Sequence, residues 1–407
     1  MNEKITPIFC ALAFGSVNVT PSNKYIPCCS TTPGLISTNQ DQRREMLPVD
    51  RVNMDSLVSV RRSLLKGEWH PACKLCEREE KIASQSMRQI WNSTLKEYDI
   101  PMVEQIDPIN IRFVSIGFSN KCNSKCMMCG PGNSNLWNDE YKYIWKNNPN
   151  KYSEYDRVMS IIAHDDESIE ILRSFPNVEH ITLLGGEPTI LSEHDALISY
   201  LITSGRSSNI SLSYVTNLTG ISDSLIDSWK SFKHVSIMAS IDGVGSVNEY
   251  IRYPFKWNKI DTNLRKVFEL SRTGTIDVGL SCTASMFNCI GLADLLLYWC
   301  NMCSEYNQYV SVYVNKVVQP SYTAVNIMSS NHREEGIAKL NSLKELLQNR
   351  DTIPDTIDVL IDWMSHPVAD DSEVALSKHF ITESDNFRNR SIKDYIPEVW
   401  NELYGNN

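Results

Sequence analysis

From Ile111 onward the chain alternates short β-prone runs with helical stretches, and that alternation admits few folds. Six runs read as strands: Ile111–Phe118, His180–Leu184, Ile210–Val215, His234–Ser240, Asp277–Thr283 and Tyr309–Val317. Helical periodicity fills intervals near Asn133–Lys146, Glu193–Thr203, Ser222–Trp229, Asp261–Ser271 and Ile290–Tyr306. Strands separated by helices make βα units, and such units stack their strands into a parallel sheet. Barrel-type folds of this class place their chemistry on the loops that follow the strands.

The loop after the first of these strands carries Cys122, Cys126 and Cys129 at C-x3-C-x2-C spacing. Three soft thiolates on one short loop can wrap three irons of a 4Fe-4S cluster, leaving the fourth iron open to a small molecule. A zinc site completed by a distant fourth ligand is the competing reading. Zinc motifs usually join C-x2-C to a second pair, and none follows closely here.

The strand followed by Cys122-x3-Cys126-x2-Cys129 resembles the signature of the radical S-adenosylmethionine (SAM) superfamily. The resemblance implies that the open iron chelates the amino and carboxylate groups of SAM. It implies an α/β fold, a partial (β/α)6 TIM-like barrel over residues 106–320, with a wide lateral mouth. It further implies an enzyme that splits SAM reductively to a 5′-deoxyadenosyl radical, which abstracts hydrogen from a substrate. A flavodoxin- or ferredoxin-type protein would donate the electron.

Other stretches extend the resemblance. Gly185-Gly186-Glu187-Pro188 follows the second strand; two glycines let a backbone approach a ligand closely, although a tight turn alone explains them. The stretch resembles the family's GGE motif, which binds the amino group of SAM. Asn217, Ser240 and Asp242 end the third and fourth strands, where family equivalents bind the ribose hydroxyls and the SAM carboxylate. The same residue types are also good helix caps. Met128 stands where relatives carry an aromatic on the adenine, and methionine is adaptable enough for that contact. Arg252 falls where relatives place an arginine near the active site; a solvated surface arginine is the plainer alternative.

Residues 1–105 contain five more cysteines. Val17 to Cys28 reads as a hairpin turning at Pro21-Ser22-Asn23. Val58–Lys66 reads as helix, and Trp69-His70-Pro71-Ala72 leads into Cys73-x2-Cys76. Cys10, Cys28, Cys73 and Cys76 are candidate ligands of a four-sulfur cage, with Cys29 facing away as the spare. The pattern resembles the auxiliary-cluster domains called SPASM and twitch, with ligands for one auxiliary cluster, although those domains usually follow the barrel. Zinc would be equally content with four thiolates. His70 is a possible replacement or outer ligand. Glu77–Leu95 has helical period without Gly or Pro and links this module to the barrel.

Composition narrows the rest. A net charge of −10 argues against a broad grip on nucleic acid. No stretch approaches the roughly 18 apolar residues of a membrane span, and the beginning Met1-Asn2-Glu3-Lys4 is poorly built for a signal peptide. Twelve cysteines then point to reduced thiols and metal binding in the cytoplasm. Cys282, Cys289, Cys300 and Cys303 lie in apolar runs and read as core. Residues 321–407, with helices at Glu334–Gln348 and Thr356–His366, form a helical extension over the barrel or at a dimer contact. A peptide or protein is the expected substrate. A nucleotide or other small molecule, or a non-catalytic iron–sulfur redox sensor or scaffold, is the alternative.

Overall fold

The computed structural model describes residues 8–31, 36, 46–81, 86–94, 100–160, 166–348 and 353–405. Met1–Lys4, residues 82–85 and Leu95, on which parts of the sequence reading fall, lie outside the described residues.

Eight strands form one sheet in the order β2-β1-β3-β4-β5-β6-β7-β8. They are β1 (Ser16–Val19), β2 (Tyr25–Ile26), β3 (Phe113–Gly117), β4 (His180–Leu184), β5 (Ser211–Thr216), β6 (His234–Ser240), β7 (Ile276–Ala284) and β8 (Val312–Lys316). From β1 to β8 every neighbouring pair is parallel. The antiparallel β2 closes one end. The sheet is open, with β2 and β8 as its edges, and it is the expected partial TIM-like barrel. Strict alternation of buried and half-buried residues along β5 and β6 marks strands covered more heavily on one face.

The six expected strands are all present. One relation was not foreseen: β1, from the cysteine-rich N-terminal region, pairs in parallel with β3, Val17 opposite Val114 and Val19 opposite Ile116. Pro21, Ser22 and Asn23 form the expected turn, with Asn23 at φ 58°. The N-terminal region therefore joins the sheet, and its apolar residues Leu12, Phe14 and Val17 belong to the same hydrophobic cluster as the strands.

Helices cover the sheet: α1 (Ala11–Gly15), α2 (Asp55–Leu65), α3 (Lys74–Lys81), α4 (Met87–Thr94), α5 (Trp137–Ile144), α6 (Ser192–Thr203), α7 (Asp223–Trp229), α8 (Trp257–Ser271) and α9 (Leu292–Tyr306). The expected linker helix Glu77–Leu95 is seen as parts of α3 and α4. Beyond β8 come α10 (Ser330–Leu346), α11 (Ile353–Met364), α12 (Asp371–Arg388) and α13 (Pro397–Tyr404). α12 is the longest of these and lies in the expected helical extension, beyond the two helices read from sequence. Its start carries a signal that could have revealed it: the Asp370 side chain accepts from Glu373 N–H, the pattern of a capping residue followed three positions later by Glu. No helix among the described residues is long and apolar enough to cross a membrane.

The junction of β1 with β3 can be tested directly. Val17 is 2% exposed, so Val17→Asp buries an unpaired carboxylate at a cost of about several kcal/mol. Amide exchange at 16–19 and 113–117 should then accelerate together; unchanged exchange at 113–117 would contradict the shared sheet.

Candidate active site

The cysteine loop leaves β3 at its C-terminal end and is fixed first by backbone. Lys125 N–H donates to Tyr253 O at 2.7 Å, and Met127 N–H to Ile251 O at 2.8 Å. Ser124 Oγ donates to the same Tyr253 carbonyl at 3.1 Å, and Ser134 Oγ to Ser124 O at 2.7 Å. Met127 is wholly buried, while Met128 is half-buried against the core.

The three thiols lie near enough to alter one another's ionisation. The neighbouring Cys129 thiol is the main influence that holds the Cys126 thiol below its ordinary range. The Arg252 charge adds to it, with Nη1 3.8 Å from Cys126 Sγ. The neighbouring Cys126 and burial push Cys129 well up. Burial pushes Cys122 up to about 12. Arg252 is not a solvated surface residue: its side chain is 14% exposed and its Nε lies 2.7 Å from Asp242 Oδ2.

Gly185-Gly186-Glu187-Pro188 follows β4 and lies on the cysteine loop. Gly185 has φ +87° and Gly186 φ +29°, and a Cβ on Gly186 would sit 1.9 Å from Lys121 O. Glycine is required here so that the turn can press on the loop backbone. Glu187 N–H donates to Lys121 O at 3.0 Å. The Glu187 carboxylate is buried and fully used within the protein. Its Oε1 accepts from Thr189 Oγ1 at 2.6 Å and Thr216 Oγ1 at 2.7 Å, and its Oε2 accepts from Asn217 N–H at 2.7 Å. Pro188 opens the short turn Pro188–Ile190 that Glu187 caps.

The strand tips complete the ring. Asn217 Nδ2 donates to Asn123 Oδ1 at 2.9 Å, and Asn123 Nδ2 to Thr219 Oγ1 at 2.8 Å, tying the tip of β5 to the cysteine loop. Asp242 is fully buried and accepts from Thr283 N–H at 2.7 Å. Neither residue caps a helix: Ser222 caps α7, and Gly245 precedes the next short helix. Ser240, half-buried, lies opposite Ser281 in the sheet.

A second set of thiols gathers elsewhere. Cys10, Cys28, Cys73 and Cys76 line one cavity with Leu64, Trp69 and Arg88. Burial pushes each of them up, Cys10 to about 11 and Cys73 to about 12. Cys29 is exposed. Both His70 nitrogens are engaged: Nδ1 accepts from Ala72 N–H at 3.1 Å and Nε2 lies 3.4 Å from Ser59 Oγ. Tyr313 of β8 feels the charges of Cys29, Glu79 and Cys76, though burial is the main influence that pushes it up. Cys282, Cys289, Cys300 and Cys303 are all in the core. Among the described residues, no three or more His, Cys, Asp or Glu side chains converge as a single metal ion would require.

Sequence reasoning missed the groups behind the cysteine loop. Lys125 Nζ and Arg388 Nε hold the two oxygens of Glu140, each at 2.7 Å, and Glu140 and Arg388 are 0% exposed. No spacing in the sequence links residues so far apart.

Residues 116–282 match the family model described as the radical SAM superfamily. No curated protein matches the chain. Among solved structures, Streptococcus suis SuiB bound to S-adenosylmethionine is 14% identical, with a TM-score of 0.35, over 74% of this chain and 61% of that one. TYW1 with a lysine–pyruvate adduct is 13% identical, with a TM-score of 0.34, over 69% and 90%. The chain anSMEcpe with bound AdoMet and a Cp18Cys peptide is 15% identical, with a TM-score of 0.37, over 60% and 61%. The chain thus spans about three fifths of the length of SuiB and of anSMEcpe.

The fit of the glycine turn gives a paired prediction. Gly186→Ala should lower the thermal midpoint by several degrees, a cost of about 1–3 kcal/mol for forced strain. Gly130→Ala, where nothing lies within 4 Å of a Cβ, should leave the midpoint unchanged. Equal effects at both positions would remove the argument for close approach.

Proposed function

From the match of residues 116–282 to the radical SAM superfamily model we propose that the chain is a radical SAM enzyme acting on a peptide or protein. The observation that carries the reading is the trio Cys122, Cys126 and Cys129 on the loop after β3, mutually interacting and backed by Arg252. The donor set fits a 4Fe-4S cluster, since three thiols serve three irons and leave one for SAM. Cys122, Cys126 and Cys129 would hold that cluster, which would supply the electron for reductive cleavage of SAM and so for hydrogen abstraction from the substrate. The protein supplies placement, a dry environment and electrostatics.

The residues divide that work. Cys126 lies 3.8 Å from Arg252 Nη1, and a positive neighbour favours the ligating thiolate form. Arg252 stands beside it with a fixed positive charge, and Asp242 holds Arg252 in place. We assign the SAM contacts to the backbone of Gly185 to Pro188 and to Met128, Ser240, Asn217 and Asp242. Glu187, which spends its oxygens on Thr189, Thr216 and the Asn217 amide, holds the tips of β4 and β5 together. Burial of Met127 and of the strand faces below the loop excludes water from its underside.

Cys10, Cys28, Cys73 and Cys76 are proposed as ligands of one auxiliary iron–sulfur cluster, which the cavity they line supports. Arg88 lies beside that cavity and favours ionised thiols at Cys10, Cys73 and Cys76. The peptide assignment rests on the likeness of this thiol set to auxiliary-cluster domains. The open side of the sheet is the proposed route of entry. A flavodoxin- or ferredoxin-type protein is the proposed electron donor.

Anaerobic reconstitution with iron and sulfide tests the reading. About eight irons per chain are expected, falling to about four when Cys122, Cys126 and Cys129 are all changed to Ala. The native, reduced protein should also release 5′-deoxyadenosine from SAM, and the triple variant should release none. Zinc in place of iron at the loop, or an unchanged iron count in the variant, would refute it.

A further inference from the structure

We propose that the C-terminal helix α12 is a working part of the cysteine-loop site, with Arg388 as a positioning residue that sets the loop through Lys125, Met127 and Glu140. The inference rests on the reading of that loop as a cluster site and concerns what holds it in shape.

Arg388 ends α12 and is wholly buried. Its guanidinium reaches three different partners: Nε donates to Glu140 Oε1 at 2.7 Å, Nη2 to Lys125 O at 3.1 Å, and Nη1 to Met127 Sδ at 3.2 Å. Lys125 and Met127 are the two neighbours of Cys126. The second oxygen of Glu140 takes Lys125 Nζ at 2.7 Å, so one carboxylate of α5 gathers both the loop and the C-terminal helix. Arg390 adds a further tie, donating to Tyr250 O at 3.0 Å and to Met127 Sδ at 3.5 Å.

Arginine suits this place because its planar fork fixes several acceptors in one geometry, which a lysine ammonium does not. Such a network is a poor device for stability as such: replacing buried ion pairs by apolar side chains is often neutral or favourable. Its consequence is geometric. The two neighbours of Cys126 are held by the backbone of Ile251 and Tyr253 and by the side chains of Arg388 and Arg390. Three segments remote in sequence agree on one position for one thiol.

Linkage makes this testable in the unmodified chain. If α12 sets the loop, loading the loop must stabilise the packing of α12 by the same coupling. Amide exchange at residues 380–392 of the native chain should slow by about tenfold on anaerobic loading with iron and sulfide, within the range such couplings span. The variant with Cys122, Cys126 and Cys129 changed to Ala, treated identically, should show no slowing. In Arg388→Met, iron at the loop should fall and the electron paramagnetic resonance signature of the reduced cluster should shift. Arg388→Lys, which keeps charge and loses the fork, should recover only part of both, and Glu140→Gln should resemble Arg388→Met. A native chain that loads no iron at the loop defeats the underlying cluster reading. A native chain that loads normally but shows unchanged exchange at 380–392 overturns the positioning role, and does so even where the Arg388 variants fail to fold. An unshifted signature in a folded Arg388→Met protein overturns it equally.

Discussion

The contact of the Gly185-Gly186 turn with the Lys121 backbone is the constraint around which the rest of the site is arranged. Two loops from adjacent parallel strands lie against each other with no room for a single side-chain carbon between them. Once that contact exists, the Glu187 amide reaches Lys121 O, and its carboxylate falls where Thr189, Thr216 and Asn217 can all donate to it. A buried carboxylate is tolerated only when hydrogen bonds replace its water, and this one has its replacements from β5 and its own turn. The tips of β3, β4 and β5 are thereby locked as a unit, and Asn217 passes the lock back to the cysteine loop through Asn123.

How far the sequence revealed this depends on the range of the interaction. The six strands were legible because each is a local run, and the cysteine loop because three soft ligands at short spacing have few other uses. The hairpin at Val17 to Cys28 was legible for the same reason, its turn residues being local signals. That β1 would join β3 was not, since strand pairing between distant segments leaves no trace in either one. The roles of Asn217 and Asp242 were also open, because residue type alone serves a ligand contact and a helix cap equally. The structure shows a third use, in which both bind other strand tips. Arg252 could be placed near the site by position in the chain, but its burial between Asp242 and Cys126 depends on the fold.

The N-terminal thiols illustrate the same division. Cys73 and Cys76 are adjacent turns of one local motif, and Cys28 ends the hairpin, so a common cage was a natural expectation. That Cys10 completes the lining depends on α1 packing against α2 and α4. Arg88 at the same cavity, pinned by Glu80 at 2.6 Å, is a long-range consequence that no pattern in the chain displayed.

The charges buried around the cysteine loop yield the last step. Lys125, Arg252, Arg388 and Arg390 are all largely buried there, and the carboxylates that accompany them are Glu140, Asp242 and Asp385. With Glu187, also buried beside the loop, four cations meet four carboxylates in a region of low dielectric, where an unmatched charge is costly. Of the three thiols it is Cys126 that Arg252 faces, 3.8 Å away, and that positive charge favours a thiolate there, whereas burial disfavours one at Cys122. The same cations would also stabilise an electron added to a centre held there, since added negative charge is more favourable beside positive groups. One arrangement of buried charge thus serves both the Cys126 thiolate and an added electron, with two of its four cations contributed by residues 388 and 390.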